Sequence, residues 1–193
     1  MIATIPYNDD PFPHRIRWTR ADCTKLESLE FLVPGKYELV EGEIVLKVGQ
    51  NEPHVVANMK ALFALSLIFG QEHVRHSSPL SFGPNDNPEP DVAVTVLPRP
   101  EYLLRGTPTD ADVLLIVEIS DATLRYDRHT KAALYARAGI AEYWIVDLNG
   151  RRLIVHRNPT ALGYANVQEL TEQDAVSPLS RSGASTSVAD LLP

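Results

Sequence analysis

The sequence predicts a mixed α/β fold in which a central β-sheet is flanked by helices. The stretch 113–119 is a nearly continuous aliphatic and β-branched run, which is typical of a strand buried on both faces. A helical pattern of about three turns begins near Asp127 and ends at Gly139, and a second apolar strand starts at Tyr143. Strand, helix and strand in this order predict a βαβ-like core.

Two charged residues of this core occupy positions that should face inward. Alternation along the first strand places Glu118 on the same face as Leu114 and Ile116, at the end of an apolar row. On the helix, Lys131 shares the inward stripe with Leu134. An acid and a base therefore point where apolar side chains are expected.

A helix and a hairpin are predicted before this core. Thr19 and Asp22 have the spacing of a capping box, so a helix of about twelve residues should follow. Residues 37–48 predict a β-hairpin with its turn at Glu41-Gly42. Pairing across that turn puts Glu38 on a strand, where it lies either on a solvated hairpin face or in a site.

The next element is a long helix that begins at Asn51 and ends before Gly70. Its apolar stripe predicts a core helix and consists of Val55, Met59, Leu62, Phe63 and Leu67. His54 lies in the first turn, where a lone histidine is more often a capping or surface residue than a ligand. An irregular strand is expected over 72–82.

Asp91 begins an alternating strand, 91–96, directly after the turn cluster NDNPEP. Turn chemistry at a strand start and a role in a site are equally compatible with this position. Further on, Asn149-Gly150 is a strong hairpin signal, so the strand from Tyr143 should pair antiparallel with 152–157. A third strand near 164–170 would extend that edge.

Length and composition restrict the class of protein. A chain of 193 residues indicates one domain, here 18–193, after a Pro- and Asp-rich arm over 1–17. The single cysteine, Cys23, excludes an intramolecular disulfide and fits a cytoplasmic protein. Neither a signal-peptide pattern nor a membrane-spanning apolar run is visible, so no membrane partner is expected. The net charge of −7 excludes polyanion binding by bulk electrostatics, and any nucleic-acid contact would need a local basic patch or a metal ion.

Asp91, Glu118 and Lys131 together suggest hydrolytic chemistry. If the strands of Asp91 and Glu118 are neighbours, two carboxylates and the carbonyl of Ile119 could hold Mg²⁺ or Mn²⁺. Such an ion polarises a phosphoryl oxygen and lowers the pKa of bound water, while Lys131 would stabilise developing negative charge. The alternative is a purely structural ion pair of Glu118 with Lys131 or Arg125.

Several motifs resemble, over roughly residues 20–170, the Uma-type family of putative restriction endonucleases, which belongs to the PD-(D/E)xK nuclease superfamily. They are YELVEGEIV, His54 at a helix start, EPDVAV, LLIVEIS and DRHTKAALYARAGIAEYWIVD. The resemblance implies a restriction-endonuclease-like fold with a central mixed β-sheet flanked by helices. It also implies metal-dependent cleavage of DNA.

Carried onto this sequence residue by residue, the resemblance implies that Asp91 is the acid of the PD motif and Glu118 the acid of (D/E)xK. Ser120 stands where the superfamily has its lysine, and Lys131 from the following helix would replace it. Glu38 matches a hairpin acid of the family and is a fourth candidate catalytic residue. His54 also matches the family. Asp127, one helical turn before Lys131, could hold that lysine or face solvent, and both His54 and Asp127 are candidates for supporting roles.

Three functions are compatible with these observations. The first is a Mg²⁺-dependent endonuclease acting on DNA, with a homodimer suited to cutting both strands of a duplex. The second is a non-catalytic interaction module on a nuclease fold, and the third a small-molecule phosphohydrolase. A local basic rim around the site would favour DNA; its candidates are Arg99, Arg105, Arg125, Arg128 and Arg137.

Overall fold

The computed structural model describes residues 16–47 and 49–193. Most of the predicted N-terminal arm, residues 1–15, lies outside the described residues. The helices are α1 (Arg20–Ser28), α2 (Glu52–Phe69), α3 (Tyr102–Arg105), α4 (Leu124–Tyr126) and α5 (Ala132–Arg137). The strands are β1 (Tyr37–Val40), β2 (Glu43–Leu46), β3 (Val74–His76), β4 (Val92–Thr95), β5 (Val113–Ser120), β6 (Glu142–Asp147), β7 (Arg152–Thr160), β8 (Gly163–Thr171), β9 (Ala175–Val176) and β10 (Thr186–Ser187).

A mixed six-stranded sheet organises the fold, in the order β3-β4-β5-β6-β7-β8. β5 and β6 are parallel, and every other pair of neighbours is antiparallel. The parallel pair is joined by α4, a π-helical turn over Asp127–Lys131 and α5, which follow one another without a break. The predicted βαβ core and the mixed sheet flanked by helices are therefore confirmed.

Two apolar clusters cover the two faces of this sheet. One contains Leu115 and Val117 of β5 together with Leu65 of α2. The other contains Ile116 of β5 with Tyr135 of α5. Successive residues of β5 thus enter opposite clusters, as expected for a strand buried on both faces.

The hairpin and turn predictions agree well with the structure. β1 and β2 pair with Glu38 opposite Val45, and β6, β7 and β8 form the predicted antiparallel edge. The first helix has its capping box but spans only nine residues, because the chain turns at Glu30 with a φ of 62°. The irregular strand expected over 72–82 is limited to β3, because Ser77 adopts a φ of 39°.

The apolar stripe predicted for the inward face of α2 is wrong. The helix buries Ala57, Ala61 and Leu65 against the sheet, whereas Met59 and Phe63 are largely exposed. Small side chains on the inner face allow the helix to lie close to the strands. Because α2 is apolar on almost every side, periodicity could not decide which face is buried.

Within residues 16–47 and 49–193, no helix combines the length and the apolar character that a bilayer span requires. The cytoplasmic location suggested by the single cysteine stays a prediction.

Candidate active site

Antiparallel pairing brings the first two predicted acids together. Val92 of β4 pairs with Val117 of β5, so the start of one strand meets the end of the other. Asp91, directly before β4, donates its backbone N–H to Glu118 Oε2 at 3.3 Å. In return, Asp91 Oδ2 accepts the backbone N–H of Ile119 at 2.8 Å. The two carboxylates are therefore held side by side, at the edge where β4 begins and β5 ends.

Lys131 joins this pair to the hairpin. Its ammonium nitrogen lies 3.1 Å from Glu118 Oε1 and 2.5 Å from Glu38 Oε2. The Glu38 side chain is only 11% exposed, so the solvated-face alternative for this residue is wrong. Glu118 pairs with Lys131 and not with Arg125, which is exposed. A lysine from the helix after β5 thus reaches the acid that ends the apolar row.

The π-helical turn shapes this part of the site. Such turns are rare and occur often at functional positions. Lys131 ends the turn, and Tyr135, on the same helix face, donates its hydroxyl to Glu118 Oε1 at 2.7 Å. Asp127 does not hold Lys131: its carboxylate accepts the hydroxyls of Ser120 and Thr123 instead. Asp127 therefore ties the start of the helix to the end of β5 rather than contacting the lysine.

The N-terminal turns of α2 supply further groups around Asp91. His54 Nε2 lies 3.3 Å from Asp91 Oδ2, and Asn58 Nδ2 donates to Asp91 Oδ1 at 3.4 Å. Gln50, just before the helix, donates to the same Oδ1 at 3.3 Å. The side chain of Asn51 caps the helix, so the His54 imidazole is left to face Asp91.

Burial dominates the electrostatics of the site. Desolvation raises the pKa of Glu118 to about 8, since it outweighs the opposing effect of Lys131, and the negative charge of Asp91 adds to the rise. Burial alone would lower the pKa of Lys131, but the negative charges of Glu118 and Glu38 raise it, so the ammonium stays charged. Burial also disfavours a charged His54, yet hydrogen bonding and charge from Asp91 raise its pKa.

The site thus has more acids than bases. Five carboxyl groups, including Asp127 and Glu89, face the ammonium groups of Lys47 and Lys131 and the imidazole of His54 around a cavity of about 270 Å³. Besides these groups, the cavity is lined by Val45, Leu46, Gln50, Ser77, Ile119, Thr123 and Tyr126. A proton or a cation that enters the cavity would relieve the repulsion among the carboxylates.

Three buried polar atoms at the site have no hydrogen-bond partner among the described residues. They are Nδ1 of His54, Oδ1 of Asn58 and the hydroxyl oxygen of Tyr126. Buried polar groups are rarely left without a partner, so each such atom calls for an explanation. His54 and Tyr126 line the cavity, so bound solvent, an ion or a substrate there would satisfy these two.

The donor set fits a hard divalent cation that keeps much of its water. Among the described residues, no group of three or more His, Cys, Asp and Glu side chains is arranged to hold a metal ion. Asp91 and Glu118 nevertheless form an adjacent carboxylate pair, with the backbone of Ile119 beside them. Mg²⁺ is usually bound through one or two carboxylates and several waters, so a pair is sufficient.

The five arginines that could have formed a basic rim do not line this cavity in the described part of the chain. Arg128 pairs with Glu169 at 3.1 Å, and Arg137 pairs with Glu41. The two lysines that line the cavity are themselves paired with acids.

Sequence analysis missed several residues of the site. Tyr135 and Tyr126 belong to it, as do Asn58 and Gln50. Tyr135 lies on the inward stripe that also contains Lys131, but a tyrosine at such a position is usually an ordinary core residue. Tyr126 lies five residues before Lys131, a spacing that lines up only through the π-helical turn.

Comparisons with known proteins identify a family and a similar fold. The family model described as Uma2, putative restriction endonuclease, matches residues 24–189. The fold is similar to the crystal structure of a putative nuclease belonging to DUF820 from Anabaena variabilis, with a TM-score of 0.62 and 17% sequence identity. That alignment covers 86% of this chain and 96% of the other. None of the curated proteins gives a significant match.

Proposed function

The chain belongs to the Uma2 family of putative restriction endonucleases, and we propose that it is a metal-dependent endonuclease that hydrolyses DNA phosphodiester bonds. The family and the fold support a nuclease. The observation that carries the finer proposal is the contact of Asp91 with Glu118, whose other oxygen is held by the buried ammonium of Lys131. This arrangement combines an oxygen-rich cation site with a fixed positive charge, as phosphodiester hydrolysis requires.

Asp91 and Glu118 would hold Mg²⁺ or Mn²⁺, with the Ile119 carbonyl as a further oxygen. When bound, such an ion polarises a phosphoryl oxygen and lowers the pKa of bound water. The protein's own contribution is orientation. The Ile119 N–H and His54 fix Asp91, while Tyr135 fixes Glu118.

Lys131 is proposed to stabilise the negative charge that develops on the phosphate and to orient the attacking water. Its ammonium contacts both Glu38 and Glu118, so Glu38 helps to hold the lysine in position at the cavity. A charge fixed in a buried site acts more strongly than one in water, because little solvent screens it.

Tyr126 is proposed to contact the substrate. Burial raises the pKa of its phenol to about 12, so the group remains a hydrogen-bond donor at neutral pH. Its hydroxyl is buried beside the cavity and has no acceptor among the described residues. A non-bridging phosphate oxygen would supply one. Asp127 supports this donor indirectly, since it ties the helix start to β5 through Ser120.

The second candidate is a non-catalytic interaction module. The observation that favours it is that Lys131 is fully paired within the chain, as a structural ion pair would be. The acid excess and the unpartnered buried atoms of the cavity-lining His54 and Tyr126 favour the nuclease instead. For the nuclease, the proposed substrate is DNA and the proposed location is the cytoplasm. A homodimer would present two sites to the two strands of a duplex.

Cleavage of plasmid and single-stranded DNA with Mg²⁺ or Mn²⁺ tests the proposal. Wild type should cut only with metal, and Glu118→Gln and Lys131→Ala should each lose cleavage while remaining folded by circular dichroism. A matched control is Asp147→Asn, which alters a buried acid at the end of neighbouring β6, where its partner is Arg152 rather than a residue of the cavity.

Absence of both cleavage and calorimetric metal binding would favour the interaction module. Hydrolysis of small phosphoesters without DNA cleavage would indicate a phosphohydrolase. Cleavage that survives both active-site substitutions would mean that the chemistry lies elsewhere.

A further inference from the structure

The outer face of α2 carries an exposed apolar ridge. Val55, Met59, Phe63 and Leu67 are 39%, 56%, 66% and 73% exposed. Residues spaced four apart form one continuous row along a helix. Val56, 41% exposed, widens the row at its first turn. Helices with apolar side chains on all sides are normally buried on all sides, so this face is expected to be covered.

The ridge is self-complementary. Its four residues are placed symmetrically about Ala61, so two antiparallel copies of α2 would oppose Val55 to Leu67 and Met59 to Phe63. Interlocking of such four-residue rows from two helices is the commonest mode of helix packing in globular proteins. An isologous two-fold contact requires this kind of symmetry, because one patch must match itself.

We propose that this ridge is a homodimer interface and that its occupant is the α2 ridge of a second copy of the chain. The five side chains expose roughly 500 Å² per copy, if each would have about 160–210 Å² when fully exposed. Two copies would then bury about 1,000 Å², the lower bound for a specific interface. The ridge includes no charged residue, and Lys60 is turned away to the carbonyl of Leu192 at 2.5 Å, so no ion needs to be desolvated.

The proposed contact lies next to the candidate active site but does not use it. His54 and Asn58 project from α2 toward Asp91, whereas the ridge lies on the exposed side of the same helix. Antiparallel pairing about Ala61 would put the two His54 positions roughly 20 Å apart along the helix pair. Dimerisation is thus independent of metal and of Glu118.

Sedimentation and light scattering of the full chain test the proposal. Wild type should be dimeric at micromolar concentration, and Phe63→Glu should raise the dissociation constant roughly 100-fold because it buries a charge. The matched control Leu162→Glu, at a side chain 99% exposed between β7 and β8, should remain dimeric. Both substitutions alter exposed positions, so circular dichroism should show intact folding.

A charge-rescue experiment tests the pairing itself. Met59→Lys should also be monomeric alone, but mixed with Phe63→Glu it should form a heterodimer, since residue 59 of one copy would face residue 63 of the other. A wild-type chain that is monomeric at all concentrations would overturn the proposal, because the ridge would then be covered by another part of the chain or by another protein. Dimers that survive Phe63→Glu, or a mixture that stays monomeric, would overturn it as well.

Discussion

Glu118 and Glu142 are both buried acids on neighbouring strands of one sheet, yet their surroundings differ. Glu142 is fully buried and accepts hydrogen bonds from Arg157 at 2.6 and 2.9 Å, from the indole of Trp144 at 3.0 Å and from the Leu179 N–H at 2.7 Å. Each of its oxygens is occupied by fixed donors, and it does not line the cavity of the candidate site.

Glu118 is surrounded differently, although it too is paired with a base. It shares Lys131 with a second acid, lies against a third and borders a cavity with unpartnered polar atoms. Its oxygens also accept hydrogen bonds from donors of the chain, namely Asp91, Lys131 and Tyr135, so occupied oxygens alone do not distinguish it from Glu142. A buried acid among other acids at a cavity remains available for a ligand, and this difference separates the two glutamates.

The largest expected effect that tests this contrast is the loss of cleavage when Glu118 is replaced. Glu118→Gln should lower metal-dependent cleavage roughly 1,000-fold, because one of the two carboxylates that we propose to bind the metal is lost. The free energy of unfolding should change by no more than about 1 kcal/mol, since repulsion from Asp91 and Glu38 is relieved while Lys131 keeps one acid. Cleavage rates and urea unfolding of the same preparation measure both. A loss of stability without a loss of cleavage would show that Glu118, like Glu142, serves to stabilise the fold.

Glu142→Gln should behave in the opposite way. Removal of this charge leaves Arg157 without its ion-pair partner, so the free energy of unfolding should fall by about 3 kcal/mol. Cleavage per folded molecule should remain near the wild-type rate, because Glu142 is outside the cavity. Urea unfolding and activity normalised to the folded fraction provide the readouts. A specific loss of cleavage by the folded protein would contradict the contrast.

His156 extends the comparison to a buried base. It lies between the rings of Tyr143 and Tyr164, with centroid distances of 5.2 and 5.5 Å. Burial, together with a smaller effect of the charge of Arg128, lowers its pKa to about 4. Between pH 6.5 and 4 the unfolded chain therefore binds a proton that the folded chain does not. The resulting stability is present above pH 6.5 and is lost as the pH falls.

Wild type should consequently lose about 2 kcal/mol more than His156→Phe between pH 7 and pH 5. Urea unfolding at the two pH values measures this difference. Acids that titrate in both proteins contribute equally to the two losses, so their contribution cancels in the comparison. Equal losses in the two proteins would show that His156 is protonated in the folded state.

Features of the site that depend on a local sequence pattern are predictable from the sequence, whereas features that depend on packing between distant segments are not. The inward positions of Glu118 and Lys131 are predictable from the sequence, because each residue interrupts an apolar pattern of known period. The β4–β5 adjacency that brings Asp91 to Glu118 was only an assumption before the structure confirmed it. For Glu38, the hairpin register was predictable, but the face that meets Lys131 depends on how the hairpin docks.

The remaining features had no distinguishing local pattern. The inner face of α2 could not be chosen because both faces are apolar, and the structure places Ala61 rather than Phe63 inside. The π-helical turn has no sequence period of its own, so the direction of Tyr126 was not predictable. Tyr135 fits an apolar stripe by its ring, and only its hydroxyl contact with Glu118 reveals a polar role.

Tyr126 gives the smallest expected effect and the finest test of the contrast between the two glutamates. Tyr126→Phe removes one hydroxyl that has no partner among the described residues, so the free energy of unfolding should stay the same or rise slightly. If the hydroxyl donates to the phosphate, cleavage should fall about tenfold, in keeping with one lost hydrogen bond.

Tyr164→Phe is the matched control for this substitution. The Tyr164 hydroxyl donates to the Ile140 carbonyl at 2.8 Å, so its removal should reduce stability and leave cleavage unchanged. Single-turnover cleavage and urea unfolding of both variants distinguish the two roles. If Tyr126→Phe cuts at the wild-type rate, the unpartnered hydroxyl serves bound solvent rather than substrate. The cavity's unmet hydrogen bonds would then no longer distinguish Glu118 from Glu142, and the contrast would rest on the acid excess alone.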